Sequence, residues 1–489
     1  MFKWEKSKMK YYELIADIAK NNKRLAITYS DVQFTYEELD KMIDTISYEL
    51  MYNRIETNAK VGVSCQNKLT TLLILIALNK LSAVAVPIYP QTGKSKIHKL
   101  IKEYDLAYII CDEDVESLFE EVELKKNALE SVAGCYLILS NYQQNKRVCY
   151  EDLAMILLSS GTTGRQKGIM LSNENIISNM MAVSLYLGIT KDDAVLHVKN
   201  MYHSSSILSE AILSLTNGAH LVLLDDPIIP RRIYEKCISK KITILFAIPA
   251  IIESLMDYSE KNNLLFADLR VINFYGSPVQ KSVISRMLEV FKGTDIIYSY
   301  GLSEASPRVT YARREVLELN PGTVGKEIDN VEVKILDSSG DECNVGIIGN
   351  IMIKSPGIMV GYYGNQCLTD AVMYNGFLNT GDLGYKDKMG NLYVIGRRDN
   401  MFICCGKNIY PEEIEEVLME SGVFRGVRVE VDADEKIVAY AEGDRGSYCA
   451  KDVLKFCRDN LEDYKIPHRI IVVDALERTK TGKIQRKGV

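Results

Sequence analysis

Residues Leu157–Leu171 read LLSSGTTGRQKGIML. The apolar residues Met155 to Leu158 predict a strand, and SSGTTGRQKG predicts a small, hydroxyl-rich loop behind it. Gly161 and Gly164 let the backbone approach an anion closely. The hydroxyls of Ser159, Ser160, Thr162 and Thr163 can donate to phosphate oxygens, and Lys167 adds positive charge. The spacing GxxxxGK[ST] is absent, so this is not a Walker loop. Taken alone, the stretch also fits a flexible Ser/Gly linker, and its meaning depends on what surrounds it.

Outward from it, short β-branched runs alternate with helical patterns. Runs such as Ala107–Cys111, Cys135–Leu139, His220–Leu224, Ile242–Ile248 and Arg270–Phe274 are separated in several places by amphipathic stretches, among them Arg232–Lys240 and Ser282–Phe291. This rhythm predicts right-handed βαβ units and parallel sheets. From about Gly322 the texture changes to strand and turn, which predicts a β-rich subdomain. After Gly396 the turn GRRDN leads to a helix at Pro411–Glu420, with proline at the first helical position and acids in the first turn. Strands at VRVEV and KIVAYAE and a helix at Lys451–Leu461 follow. The fold class is therefore α/β: a large N-terminal domain, residues 1–396, of α/β subdomains plus a β-rich piece, and a small α+β C-terminal domain, residues 397–489. The boundary is expected at Arg397–Asn400.

The chain's 489 residues are 47% hydrophobic and 25% charged, with a net charge of -6, ample for more than one core. Such a mildly acidic balance offers nucleic acid or anionic lipid no general attraction, so a phosphate-bearing ligand needs a dedicated local site. Eleven cysteines without CxxC pairing predict reduced thiols and a cytoplasmic protein. The opening residues have no signal-peptide core. The most apolar stretch, Thr70 to Pro90, is broken by Asn79 and Lys80 and reads as a buried helix and strand rather than a transmembrane segment.

SSGTTGRQKG resembles the phosphate loop of the adenylate-forming (AMP-binding) superfamily, whose members include acyl- and aryl-CoA synthetases, luciferases and peptide-synthetase adenylation domains. Other motifs follow in the superfamily's order: YGLSEAS (Tyr300–Ser306), TGDLG (Thr380–Gly384), GRRDNMFICCGKNIYPEEIEE (Gly396–Glu416) and RTKTGKIQR (Arg478–Arg486). Weaker echoes begin at Phe34–Leu39, so the likeness covers nearly the whole chain. It implies the adenylate-forming enzyme fold. It also implies a ligase that activates a small-molecule carboxylic acid with ATP and Mg2+ as an acyl-AMP and transfers the acyl group to a thiol.

Each motif carries an implied role. Glu304 would hold Mg2+, Tyr300 would lie against adenine with Gly301 and Ser303 beside it, and Gly276, Ser277 and Pro278 would form the small-residue adenine loop. Asp382 would accept both ribose hydroxyls, which suits a fixed two-oxygen acceptor, with Arg397 alongside. Lys483 would bridge the attacking carboxylate and the α-phosphate, where negative charge builds. Asp399 would be the hinge on which the small domain swings between half-reactions.

For the acid, Ser204 stands where amino-acid-activating domains carry an aspartate, which argues against an α-amino acid, since a buried ammonium without a carboxylate partner is costly. His203 resembles the histidine of acyl- and aryl-CoA ligases near the acid. The acid pocket is expected from Met180–Val183, Phe246–Pro249 and Tyr298–Ser306. GKNIYPEEIE resembles the CoA-ligase form of its motif, so coenzyme A is the implied acceptor; a phosphopantetheinyl group on a separate acyl carrier protein is the alternative. A non-catalytic ATP- or acyl-binding regulator is a further one. The chain departs from the family at Ser82, where glycine is usual, at Asn350, where an acid is common, and at Cys405, where glycine stands in the hinge region.

Overall fold

The structure, a computed structural model, describes residues 9–30, 32–140, 150, 152–160, 166–225, 227–404, 407–432, 436–444, 449–478 and 484–486. Two large sheets face a shared core. The nine-stranded sheet runs, edge to edge, Lys326–Glu327, Arg308–Ala312, Asp295–Gly301, Val271–Tyr275, Ile244–Ala247, Ala194–His197, His220–Leu223, Leu25–Tyr29 and Val32–Thr35. From Asp295–Gly301 to Leu25–Tyr29 its neighbours are parallel. Helices Pro230–Ser239, Pro249–Asn262 and Lys281–Val290 supply the crossovers, as the alternating pattern predicts. In this region Ser282–Phe291 and Arg232–Lys240 are helical to within a residue or two of the expectation.

The eight-stranded sheet runs Gly361–Tyr362, Gln166–Ser172, Leu153–Ser160, Val84–Pro87, Lys60–Ser64, Tyr108–Asp112, Cys135–Ser140 and Glu123–Ala128. Here the parallel expectation holds only at the centre. Cys135–Ser140 pairs antiparallel with both of its neighbours. The chain between Tyr108–Asp112 and Glu123–Ala128 holds only the single-turn helices Glu116–Leu118 and Glu120–Val122. Glu123–Ala128 lies at the sheet edge, and the short connection 129–134 turns the chain back as a hairpin, so Cys135–Ser140 inserts between Glu123–Ala128 and Tyr108–Asp112 antiparallel to both.

Helix Lys68–Lys80 is buried on every side, which explains its apolar circumference. Its residues Leu72 to Leu78 share one core with Val61 and Leu157 of one sheet and Leu221 of the other. Each such burial contributes about 1.5–3 kcal/mol before entropy is counted. Strand Val84–Pro87 follows it, preceded by Ser82 at φ 56°. That left-handed conformation is why glycine is usual at this position.

A third, five-stranded sheet is built from Glu332–Leu336, Gly349–Lys354, Phe377–Lys386, Met373–Tyr374 and Leu392–Arg397, the β-rich piece expected after Gly322. In it Asn350 donates through Nδ2 to the Leu336 carbonyl. Beyond Arg397 the chain builds a separate core. Strands Gly426–Val431, Ile437–Glu442 and Arg469–Val473 pack with helices Pro411–Glu420 and Ala450–Asn460 around Ile409, Ile414, Leu418, Val429 and Cys457. Among the described residues no helix is long and apolar enough to cross a membrane.

Candidate active site

In an open parallel sheet, the crevice beyond the carboxyl ends of the strands is where ligands bind. Three parallel strands of the nine-stranded sheet deliver the motif residues there. Val271–Tyr275 gives way to Gly276, at φ 102°, and then to Ser277 and Pro278. Phe274 and Tyr298 stack at 4.5 Å, and the Tyr298 hydroxyl donates to the Ser277 carbonyl at 3.2 Å, fixing that loop. Asp295–Gly301 ends on Tyr300 and Gly301. A Cβ on Gly301 would meet the Pro307 carbonyl oxygen at 1.8 Å, so only glycine lets the chain fold back on itself here. The single-turn helix Ser303–Ala305 then presents Glu304.

Tyr300, Asp382 and Arg397 meet, although they lie in three different segments. The Tyr300 hydroxyl donates to Oδ2 of Asp382. Nη1 of Arg397 donates to Oδ1 of Asp382 at 3.1 Å and to the Thr380 carbonyl at 2.8 Å. Asp382 and Arg397 are cross-strand partners, which aligns the ion pair by register. Burial, with the Asp382 carboxylate beside it, pushes the Tyr300 phenol well above its ordinary range, so it stays a neutral donor. Each carboxylate oxygen keeps a second lone pair for a ligand hydroxyl.

Ser159 and Lys167 are cross-strand partners in the hairpin Leu153–Ser160 and Gln166–Ser172. Lys167 thus stands on a strand, where the sequence reading had it in the loop. Its ammonium lies over the Tyr362 ring, 5.3 Å from the centroid, and the Tyr362 hydroxyl donates to Oε1 of Glu304 at 3.0 Å. Lysine, tyrosine and glutamate so form one chain from the phosphate loop to the adenine motif. Tyr362 was not among the sequence candidates, since a lone tyrosine carries no motif signal. Glu304 fits a Mg2+ ligand: it is a half-buried hard oxygen donor whose second oxygen makes no hydrogen bond among the described residues. Mg2+ sites of this kind use one or two carboxylates together with substrate phosphates.

Strand Ala194–His197 leads to the segment Asn200–Ser206. His203 caps the short helix Ser204–Ser206 and its side chain is exposed. Ser204 is tied directly to the adenine motif, its Oγ 2.9 Å from that of Ser303. Behind it lies a group of buried polar side chains, Lys199, His197, Glu210, Tyr275 and Arg308, that sequence reasoning missed. Isolated charges there carry no spacing signal.

At the junction with the C-terminal lobe, Asp399 lies in the turn Arg398–Asn400, 3.9 Å from Arg397. Asn400 donates to Glu412 at 2.6 Å, and Lys281 reaches Glu416 at 3.4 Å and Glu420 at 3.6 Å across the two lobes. An isolated antiparallel bridge pairs Arg478 with Ile484. It is anchored by Arg428 on the Gln485 carbonyl and by Arg486, 2.7 Å from Glu415 and 3.2 Å from Glu412. Gly161, Thr162, Thr163, Gly164, Cys405 and Lys483 lie outside the described residues, as does the side chain of Ser160.

With this geometry in hand, the family follows. Residues 15–363 match the family model "AMP-binding enzyme", and residues 413–483 match "AMP-binding enzyme C-terminal domain". The chain is similar to the 2-succinylbenzoate–CoA ligase of Listeria monocytogenes (29% identical over 474 residues, 95% of each chain) and to that of Bacillus cereus (26% over 471 residues, 95% of this chain and 94% of the other). Its fold matches O-succinylbenzoate coenzyme A synthetase from Bacillus subtilis in complex with ATP and magnesium ion (TM-score 0.84, 25% identity, 96% and 98% covered). It also matches ATP-bound MatB from Rhodopseudomonas palustris (TM-score 0.85, 24% identity, 98% and 97% covered). The chain belongs to the AMP-binding enzyme family. It is an ATP- and Mg2+-dependent, AMP-forming acid–thiol ligase with the adenylate-forming fold.

Proposed function

We propose that the chain converts a small-molecule carboxylic acid and ATP into an acyl-AMP and pyrophosphate, and then passes the acyl group to the thiol of coenzyme A. The observation that supports this most is the meeting of Tyr300, Asp382 and Arg397 beside the chain Lys167–Tyr362–Glu304, with residues drawn from all three large sheets. In the first half-reaction a carboxylate oxygen attacks the α-phosphorus, and the bond from that phosphorus to pyrophosphate breaks. Ser159, Ser160, Lys167 and the loop residues Gly161, Thr162, Thr163 and Gly164 are assigned to the phosphates. Tyr300, Gly301, Ser303 and Gly276–Pro278 are assigned to adenine, and Asp382 and Arg397 to ribose. Glu304 would hold Mg2+, which when bound supplies charge neutralisation on the phosphates. Lys483 offsets the charge gathering at phosphorus, and His203 stands near the acid. In the second half-reaction the thiolate attacks the acyl carbon and AMP departs. Asp399 is the pivot between lobes 1–396 and 397–489.

Coenzyme A is favoured over a carrier protein by the GKNIYPEEIE motif and by the acceptor in the names of the relatives. A cytoplasmic location follows from a reaction that draws on ATP and coenzyme A. The test is pyrophosphate exchange over a panel of acids, beginning with 2-succinylbenzoate, followed by product analysis with coenzyme A or a pantetheinylated carrier protein. Acid-dependent exchange and a CoA thioester are the expected results. Product only on the carrier would overturn the acceptor, and silence across the panel would favour a non-catalytic regulator.

A further inference from the structure

Arg308 is 2% exposed, yet its Nε and Nη2 have no hydrogen-bond partner among the described residues. These two nitrogens form the edge of the guanidinium that matches a carboxylate bidentately. The face of Arg308 lies 3.5 Å from the Tyr275 ring centroid, and the Lys199 ammonium lies 4.0 Å from the same centroid. Tyr275 Oη is likewise buried with no partner among the described residues. The acid facing both cations is Glu210, fully buried, with Oε1 3.0 Å from Lys199 and Oε2 3.6 Å from His197. Burial moves the Lys199 ammonium down to about 8 and pushes the His197 imidazole well below its usual range. Lys68, also buried, acts on Glu210 too, so one carboxylate answers three cations, an imbalance that costs stability unless an anion completes it.

Three consecutive serines locate this nest. Ser204 bonds Ser303, next to Glu304; Ser205 accepts from Lys199 at 3.0 Å; Ser206 lies 2.8 Å from His197. One short helix thus joins the adenine motif to the cations, and three residues along it span on the order of 5 Å. Resting on the acid-ligase reading above, we propose that the activated acid carries a second carboxylate, and that the Nε–Nη2 edge of Arg308, with Lys199, receives it.

The test uses the full chain in pyrophosphate exchange with matched acid pairs that differ only in the second carboxylate, such as hexanoate with adipate and 4-oxo-4-phenylbutanoate with 2-succinylbenzoate. The expected result is a diacid preference in kcat/KM of at least ~10², expressed mainly in KM, which R308Q abolishes and R308K partly retains. The melting temperature of R308Q is expected to hold or rise, because a buried charge that only shares Glu210 with other cations is removed. Equal use of monoacids and diacids by the natural protein would overturn the proposal, and so would an R308Q variant that melts early and loses both acids alike. If no acid supports exchange, the ligase reading falls. Calorimetric titration with the same diacids then decides this one: binding lost in R308Q upholds it, and no Arg308-dependent binding overturns it.

Discussion

The Tyr300 hydroxyl donates to Oδ2 of Asp382, joining the end of a strand in the nine-stranded sheet to a strand of the five-stranded sheet. Arg397 holds the other oxygen of the same carboxylate. The carboxylate assigned to ribose is thus held by two sheets at once.

Replacing Asp382 by alanine strands both donors and removes the acceptor. Hydrogen bonds to a charged group are worth about 1.5–3 kcal/mol, so D382A is expected to raise the KM for ATP by roughly 10- to 100-fold in pyrophosphate exchange. Y300F, which removes one donor and leaves the carboxylate, is expected to have the smaller effect. A D382A enzyme with unchanged KM would detach the carboxylate from nucleotide binding.

Lys483 is assigned to the charge at phosphorus. K483A is expected to slow acyl-AMP formation by on the order of 10² or more. Thioester formation from supplied acyl-AMP should persist, since no phosphate bond to pyrophosphate then breaks. Near-normal exchange would remove this lysine from the mechanism.

Lys281, about half exposed, reaches Glu416 and Glu420 on the other lobe. Solvent screening limits such pairs to about 1 kcal/mol or less. K281E turns attraction into repulsion, so the two half-reaction rates are expected to change in opposite directions, by no more than about fivefold. The melting temperature should barely move. Parallel changes in both rates would argue that the contact does not bias lobe orientation.

Ser82 sits at φ 56°, a conformation that costs a residue with a Cβ about 1–2 kcal/mol. Glycine recovers that and gives back part of it as unfolded-chain entropy. S82G is expected to stabilise the chain by about 0.5–1 kcal/mol in urea unfolding. A destabilised S82G would show that the hydroxyl matters more than the backbone.

Burial pushes the Glu415 carboxyl up to about 7, against the opposing pull of Arg486 and the Val429 amide. The folded lobe therefore binds this proton more tightly than the unfolded chain, whose carboxyl titrates at its ordinary value of 4.5. The resulting stability is fully present below that value and is lost as pH rises through about 7. Hydrogen-exchange protection in strand Gly426–Val431 is expected to fall between pH 5 and pH 8 for reasons beyond intrinsic exchange, and E415Q should flatten the slope. An identical slope in both proteins would assign it to another group.

The motifs were legible because their glycines and charges sit at fixed spacing, and the structure shows why at Gly301 and Gly276. The helix Pro411–Glu420 was readable from its proline and first-turn acids, and it falls on those residues. The antiparallel pairing of Cys135–Ser140 was hidden, because an apolar run looks alike in either direction and only the short connections decide it. Lys199, Glu210 and Arg308 were hidden for another reason. Most such residues are solvated, and only tertiary packing brings these three, 109 positions apart at the extremes (308 − 199), to one buried spot. Tyr362 likewise gains its meaning from strand Gly361–Tyr362 lying against Gln166–Ser172.

That last pairing has a consequence for biosynthesis. The edge of the hairpin that carries the phosphate loop is covered by a strand 190 positions downstream of Ser172 (362 − 172). At ribosomal speeds of roughly 5–20 residues per second, the nascent hairpin waits about 10–40 s with that edge open. Arrest of translation before Gly361–Tyr362 has emerged from the ribosome should therefore leave a sticky intermediate that recruits chaperones, whereas arrest once that strand is well clear of the exit tunnel should not.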